Sequence, residues 1–401
     1  MFVPLRATPR DYAWGSPTAI SEVLGTAPSG RPEAELWLGA HPGAPTPVVD
    51  PTRTGGHPDL ASWLAADPAA LGEHASLPFL LKVLAAAQPL SLQAHPDLAR
   101  AAAGFAAETA AGIPLDAPHR NYKDPLHKPE LIVALRDGFE ALCGFRELDA
   151  TDALLSTLVD SAPDPAAAAL ISSFRERLAA PGGLKATVQL LLERLPGGLL
   201  DALIASAAAP GSDSFAAERQ VVGRLAAAYP GDPGIAVALL LNLVSLRAGE
   251  ALYLPAGNIH AYLDGIGVEL MASSDNVLRG GLTPKHVDVP ELLEVLEFEP
   301  RPVPWLVPSR VGDGLSLFVP DVPDFELLRV EVDASAHPTF PLPGPAIAIV
   351  TDGTVLVDGA QSSIELARGE YAFVTPDEAS LGFSGSGTLF LATTQPVAPR
   401  S

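Results

Sequence analysis

The sequence predicts a mainly β protein, two jelly-roll units interrupted by an all-α subdomain, and three observations carry that expectation. Up to about residue 147, and again after about residue 242, apolar residues come in short, often alternating segments cut by Pro and Gly. From Leu148 to Tyr229 the spacing changes to three and four, the period of a helix with one buried stripe. The chain has 401 residues, enough for more than one core at roughly 150 residues per domain. Its 35 Gly and 41 Pro favour many short elements, while 48% hydrophobic residues argue against disorder.

Taken in order, ELWLGAHPGAPTPVVDP typifies the mixed strand and loop of the first part, with helical patches at Leu60–Leu71 and Pro96–Thr109. The helical block follows in TDALLSTLVDS, DPAAAALISSFRERLAA, LKATVQLLLERL and FAAERQVVGRLAAAY, giving four or five helices. Asp164-Pro165 supplies an N-cap with proline at the first helical position, and Pro181-Gly182-Gly183 and Pro196-Gly197-Gly198 stop helices. Arg175, Glu176 and Arg177 read as its solvated face. After Gly234 one more apolar helix is expected to reach about Asn242. Strands then resume in LVSLRAGEALYLPAGNIHAYLDGIGVELMASS. Beyond Arg301 the chain reads as β to its end, with IAIVTDGTVLVDG as a hairpin around Asp352-Gly353 and YAFVTPDEASLGFSGSGTLFLATT as further strands. The expected division is 1–147 with 234–300 as one β unit, 148–233 as the helical insert, and 301–401 as the second β unit.

Composition excludes several classes of function. Cys143 is the single cysteine, so no intramolecular disulfide forms and a reducing compartment is expected. Lys and Arg total 25 against 47 Asp and Glu, a net charge of −22 that repels nucleic acid and anionic membranes. An anionic ligand must therefore meet a local basic cluster. MFVPLRATPRDYAWG lacks the apolar core of a secretory signal, and no stretch reaches the roughly 18 apolar residues of a membrane span. The expectation is a cytoplasmic monomer with a small-molecule substrate.

The chemistry concentrates in a few motifs. Gly249-x5-Pro255-x-Gly257-x2-His260 resembles the second half of the cupin signature, in which a glycine turn delivers an inward histidine to a metal. Where the first half of that signature has His-x-His, this chain has Gln93-Ala94-His95, and the nearest persuasive acid is Glu130 in His127-Lys128-Pro129-Glu130. Gln93 and His95 share strand parity, so both can face one cavity, with Glu130 and His260 arriving on other strands. Two imidazoles and a carboxylate suit zinc, and an amide oxygen is a weaker fourth ligand. An echo, Gly369-x5-Thr375-Pro376, ends with Ser380 where His260 would stand, so the second unit is expected to hold no metal.

LPFLLKVLAAAQPLSLQAHP, NYKDPLHKPELIVAL, FEALCGFR, LPAGNIHAYL and GVELMASSDNVLRGGLTPKHVD, together with AWGS and ELWLGAHPGAP, resemble the zinc-dependent type I mannose-6-phosphate isomerases from about residue 10 to 290. The C-terminal hundred residues match only loosely. The resemblance implies one zinc per chain on Gln93, His95, Glu130 and His260, an active-site role for Arg279, and interconversion of mannose 6-phosphate and fructose 6-phosphate for activated-sugar synthesis.

Such a reaction moves a proton between C1 and C2 through an enediol, which needs a base, an electrophile and a phosphate anchor. Glu269, Arg279 and Lys285 lie in one short segment, and Lys128 is two residues from Glu130 on the expected strand face. Arg279, Lys128 and Glu269 are the candidate catalytic groups, with the proton-transfer role open among them. Lys285 is a candidate phosphate contact. Ser91 shares the parity of Gln93, Tyr262 that of His260, and Lys82 interrupts the apolar FLLKVL, so each is a candidate cavity residue. His127 is a weaker candidate; His41, His57, His74, His119, His286 and His337 read as surface or supporting residues, and Glu35 and Trp37 as structural. Two other functions fit the motifs less well. An iron oxygenase on the same ligands would not need Arg279 and Lys285 together, and a non-catalytic sugar-binding module would not need a full ligand set.

Overall fold

The structure, a computed structural model, describes residues 1–210, 214–333 and 335–396. Among the described residues, two antiparallel β sheets of nine strands each form two cupin-like units, and a helical part packs on the first. In the first unit the strand His260–Ala272 is the hub. Its start pairs with Gln93 and with Phe139–Phe145, and its later residues with Phe79–Ala86 and Glu130–Ala134. The register shifts beside Asp264, and Gly265 at φ +114° lets the strand pass from one wall of the barrel to the other. Glu35–Leu38 extends the sheet beyond Phe79–Ala86, and Leu278–Arg279 extends it beyond Gln93–Ala94.

Strand alternation then sorts the side chains. Leu81, Val83, Leu131, Val133, Val268 and Leu270 point outward into a core shared with Phe318, Phe325, Ile347, Phe373 and Phe390 of the second unit. Their neighbours Lys82, Glu130 and Glu269 point inward. Each buried aliphatic or aromatic side chain contributes roughly 1.5–3 kcal/mol, so this joint core fixes the sheet without help from the polar interior. The opposite wall is backed by the insert. Its helices Leu148–Asp160, Pro165–Ala179, Gly183–Arg194, Leu199–Ala208 and Ala216–Ala228 pack Leu154, Ile171, Leu203 and Leu225 into one core with Leu92, Ile259 and Leu278. Asp164 Oδ1 caps its helix by accepting the Ala167 N–H at 2.9 Å.

Several details differ from the sequence expectation. The helix after Gly234 ends at Ala238, because Leu241 and Asn242 are already paired with Phe145 and Cys143 in the sheet. IAIVTDGTVLVDG is no hairpin. Ala346–Asp358 is one strand with a bulge between Val350 and Asp352, and the turn comes later, between the paired Asp358 and Ser363. Phe2–Pro4, expected in the first unit, pairs with Tyr371–Val374 of the second. The short helices Ala19–Leu24 and Val289–Val295 carry too few turns to show a period.

The echo motif has a structural counterpart. Gly249 precedes the strand Ala251–Leu254 and then the long strand from His260, as Gly369 precedes Tyr371–Val374 and then the long strand from Ser380. No helix among the described residues is long and apolar enough to cross a membrane.

Candidate metal centre

The turn before His260 is built for its task. Gly257, at φ +77°, donates its N–H to the His95 carbonyl at 2.9 Å, and a Cβ there would press on Glu297. His260 thus enters the barrel beside His95, with ring centroids 5.1 Å apart. Glu130 opens its own strand and lies between the two: its Oε1 is 3.3 Å from His95 Nε2 and its Oε2 3.1 Å from His260 Nε2. All three are buried, and one ligand atom from each fits within 4.8 Å of the others.

Main-chain carbonyls set the imidazole tautomers. His95 Nδ1 faces the Asn276 carbonyl at 2.7 Å and His260 Nδ1 the Asn258 carbonyl at 3.1 Å. A carbonyl can only accept, so each Nδ1 carries the proton and each Nε2 presents a lone pair to the interior. Burial, against the pull of Glu130, brings the His95 pKa down to about 4 and keeps its ring neutral. Burial acts to raise Glu130, but Lys128 and then His95 outweigh it and hold the carboxyl well below the usual range. His95 Nε2 has no hydrogen-bond partner although fully buried. An orphaned buried acceptor costs on the order of 1–3 kcal/mol, and a cation on two Nε2 atoms and a carboxylate removes that cost. The donor set fits zinc.

Gln93 links this centre to a cleft of about 440 Å³. It stands opposite His260 on one side and Arg279 on the other, and it lines the cleft with Ser91, Lys82, Lys128, Arg279 and Lys285. Lys128 lies in the coil before the strand rather than on it, and its Nζ reaches Glu130 Oε1 at 2.8 Å. Arg279 and Lys285 have no ion-pair partner among the described residues. Burial lowers the pKa of both, and the charge of Arg279 lowers that of Lys285 further, as for cations that share one pocket.

Lys82 is held between carboxylates, with Nζ 3.0 Å from Glu269 Oε2 and 3.4 Å from Glu35 Oε1, over the Trp37 ring. Burial opposes its charge; Glu269, then Glu35 and Glu130, overcome that and keep it an ammonium. Glu35 and Trp37, read as structural, line the cleft. Glu269 does not: it stands opposite Lys82 in the register, beneath the wall, with its pKa raised chiefly by burial. Tyr262 also lies away from the cleft, packed edge-on against Phe139. His127 pairs with Asp324 of the second unit at 2.9 Å and does not line the cleft. His41 is buried beside Trp37 and meets cleft-lining Asp275 at 3.3 Å.

Sequence reasoning missed Tyr12, Trp14, Asp275 and Tyr229, which also line the cleft. Asp275, an acid in the apolar-flanked ASSDNVLRG, carried a usable signal; Tyr229 carried none, because its place depends on how the insert packs.

Residues 2–148 match the family described as phosphomannose isomerase type I, catalytic domain. Mannose-6-phosphate isomerase of Salmonella typhimurium is 38% identical over 400 residues, covering 95% of this chain and 96% of that protein. The Homo sapiens mannose-6-phosphate isomerase is 33% identical, covering 94% and 93%. A crystal structure of zinc-bound mannose 6-phosphate isomerase is similar with a TM-score of 0.86 at 36% identity, covering 98% of this chain and 99% of that one.

Proposed function

The chain belongs to the type I mannose-6-phosphate isomerases, and from that premise we propose that Gln93, His95, Glu130 and His260 hold its catalytic zinc, one per chain. It interconverts mannose 6-phosphate and fructose 6-phosphate, with zinc as cofactor. The observation that carries the assignment is the orphaned His95 Nε2 facing Glu130 and His260, beside a cleft lined by Arg279 and Lys285, which have no ion-pair partner among the described residues.

When bound, the zinc supplies Lewis acidity to the C1 and C2 oxygens of the sugar. Lys285 and Ser91 would hold the phosphate, and the guanidinium of Arg279 would face the negative charge of the enediolate. Lys128, fixed by Glu130, donates to a substrate oxygen from the cleft wall. Lys82 is the second donor on that wall. Glu269 acts through Lys82 rather than on the sugar, as a positioning residue that keeps the ammonium charged and in place. Tyr262 supports His260 from within the barrel. Proton exchange at C1 and C2 is confined to this cleft, where Trp37 and Trp14 restrict water. The enzyme acts as a cytoplasmic monomer that feeds mannose into activated-sugar synthesis.

A coupled assay of mannose 6-phosphate conversion, with and without a chelator, tests reaction and metal together. Full turnover in metal-free protein would refute the assignment.

A further inference from the structure

We propose that Asp232, in the coil between the helices Ala216–Ala228 and Gly234–Ala238, is the positioning residue that sets the phosphate anchor of this active site; the inference rests on Lys285 and Ser91 holding the phosphate. After Arg279 the chain is tied to the strand that carries Gln93, since Gly280 N–H donates to the Leu92 carbonyl at 2.8 Å and Leu92 N–H to the Gly281 carbonyl at 3.1 Å. It must then turn sharply to bring Lys285 back to the cleft. Gly281 takes φ +114° and Leu282 φ +54°, and a left-handed leucine persists only where its surroundings hold it.

Asp232 does the holding. Its Oδ1 accepts the N–H groups of Leu282 at 2.9 Å and of Gly234 at 2.7 Å, and its Oδ2 accepts that of Thr283 at 3.1 Å. Thr283 Oγ1 in turn accepts the N–H of Lys285 at 3.1 Å. Gly281 lies so close to Gly234 that a Cβ on Gly281 would come within 2.7 Å of the Gly234 Cα. A carboxylate that accepts main-chain N–H groups makes stronger bonds than a neutral acceptor, and here both its oxygens are used on backbone instead of on the free cations nearby.

A second tie leaves the same turn. Tyr229 donates its hydroxyl to the Pro89 carbonyl at 2.6 Å, on the loop that leads to Ser91. The end of the insert therefore clasps both loops that deliver polar groups to the cleft. Its role is scaffold for the anchor, not lid.

The test compares Asp232→Ala, Asp232→Asn and Lys285→Ala in the full zinc-loaded chain, reading KM and kcat for mannose 6-phosphate and competitive inhibition by inorganic phosphate. Asp232→Ala is expected to raise KM and the phosphate inhibition constant about tenfold, with kcat within about threefold and zinc content unchanged. Asp232→Asn keeps a carbonyl-type acceptor for Leu282 and Gly234 but puts an amide NH2 against the Thr283 N–H, and is expected to raise both constants about threefold, between wild type and the alanine variant. If Lys285→Ala raises KM while both Asp232 variants bind phosphate and substrate as wild type does, the proposal is wrong and the anchor stands. If Lys285→Ala changes neither constant, the anchor reading fails and the proposal with it. Should the alanine variant not fold, the asparagine variant alone decides: an unchanged KM overturns the proposal, and a rise in KM and in the phosphate inhibition constant at unchanged kcat supports it.

Discussion

Arg279 stands directly opposite Gln93 in the antiparallel register, and Gln93 stands opposite His260 in the same row. Partners in such a row have Cα atoms roughly 4.5–5.5 Å apart. The Arg279 guanidinium and the His260 imidazole are thereby held two strands apart by main-chain hydrogen bonds rather than by loop packing. Under the proposed assignment that row sets the arginine on the wall of the substrate cleft beside the metal centre, the orientation a near-attack geometry needs.

Arg279→Ala is therefore expected to lower kcat/KM for mannose 6-phosphate by on the order of 3 kcal/mol, as for loss of one charge-stabilising donor. Lys285→Ala is expected to act mainly on KM. Steady-state kinetics on mannose 6-phosphate and on mannose separate the two, because binding energy at the phosphate supports chemistry at C1 and C2. Equal losses on both sugars in both variants would place the phosphate elsewhere.

Activity is expected to vanish on chelation and return with one zinc per chain. His260→Ala and Glu130→Ala should each abolish turnover while far-ultraviolet circular dichroism stays native. The cores that hold the sheets contain neither residue, unlike in a small zinc finger, where metal binding is the folding energy. Loss of the native spectrum in the His260 variant would contradict this.

Much of this was legible in the sequence for reasons that differ by element. The insert was readable because five helices each long enough for several turns display a 3.6 period. His260 was readable because its turn needs glycine at residue 257, a requirement that leaves a mark. Glu35 and Trp37 were not, since a short strand with a polar interior and one with a polar exterior alternate identically. Asp352-Gly353 misled for a related reason: the positive φ of Gly353 serves a bulged strand as well as a hairpin. Glu269 was found as a candidate catalytic group with its role open, and only the structure shows that Lys82, its partner in the register, is the one that lines the cleft.

Glu326 gives the second unit a pH dependence of stability. It is 4% exposed, has no ion pair among the described residues, and burial raises its pKa to about 7. Between its ordinary value near 4.5 and that value, the unfolded chain has lost the proton that the folded chain keeps. This contribution to stability is complete at low pH and is lost as pH rises through about 7. Glu326→Gln should stabilise by on the order of 2 kcal/mol at pH 8, allowing for solvent screening, and by little at pH 4.5. Thermal denaturation at the two pH values checks it; an equal shift at both would show that the carboxyl does not titrate in this window.

Lys82 is where a single charge change is felt most, since among the described residues it alone lies between two buried carboxylates, 3.0 Å from Glu269 and 3.4 Å from Glu35. Lys82→Met keeps the length and apolar stem of the side chain, so its packing over the Trp37 ring should survive. What it loses is the counter-charge. An ion left buried without its partner costs about 3–5 kcal/mol, and the variant should lose that much at pH 8. Glu269 is already raised by burial, with Lys82 as the main pull downward. Without that pull its pKa rises further, it takes up a proton as the medium is acidified, and the penalty should shrink at pH 5. Glu269→Gln in the Lys82→Met background removes the stranded charge and should recover most of the loss at pH 8. Melting temperatures of the two single variants and the double variant at both pH values form the test. A penalty independent of pH, or a second substitution that adds to the first instead of offsetting it, would show that Lys82 stabilises the fold by packing and not by charge.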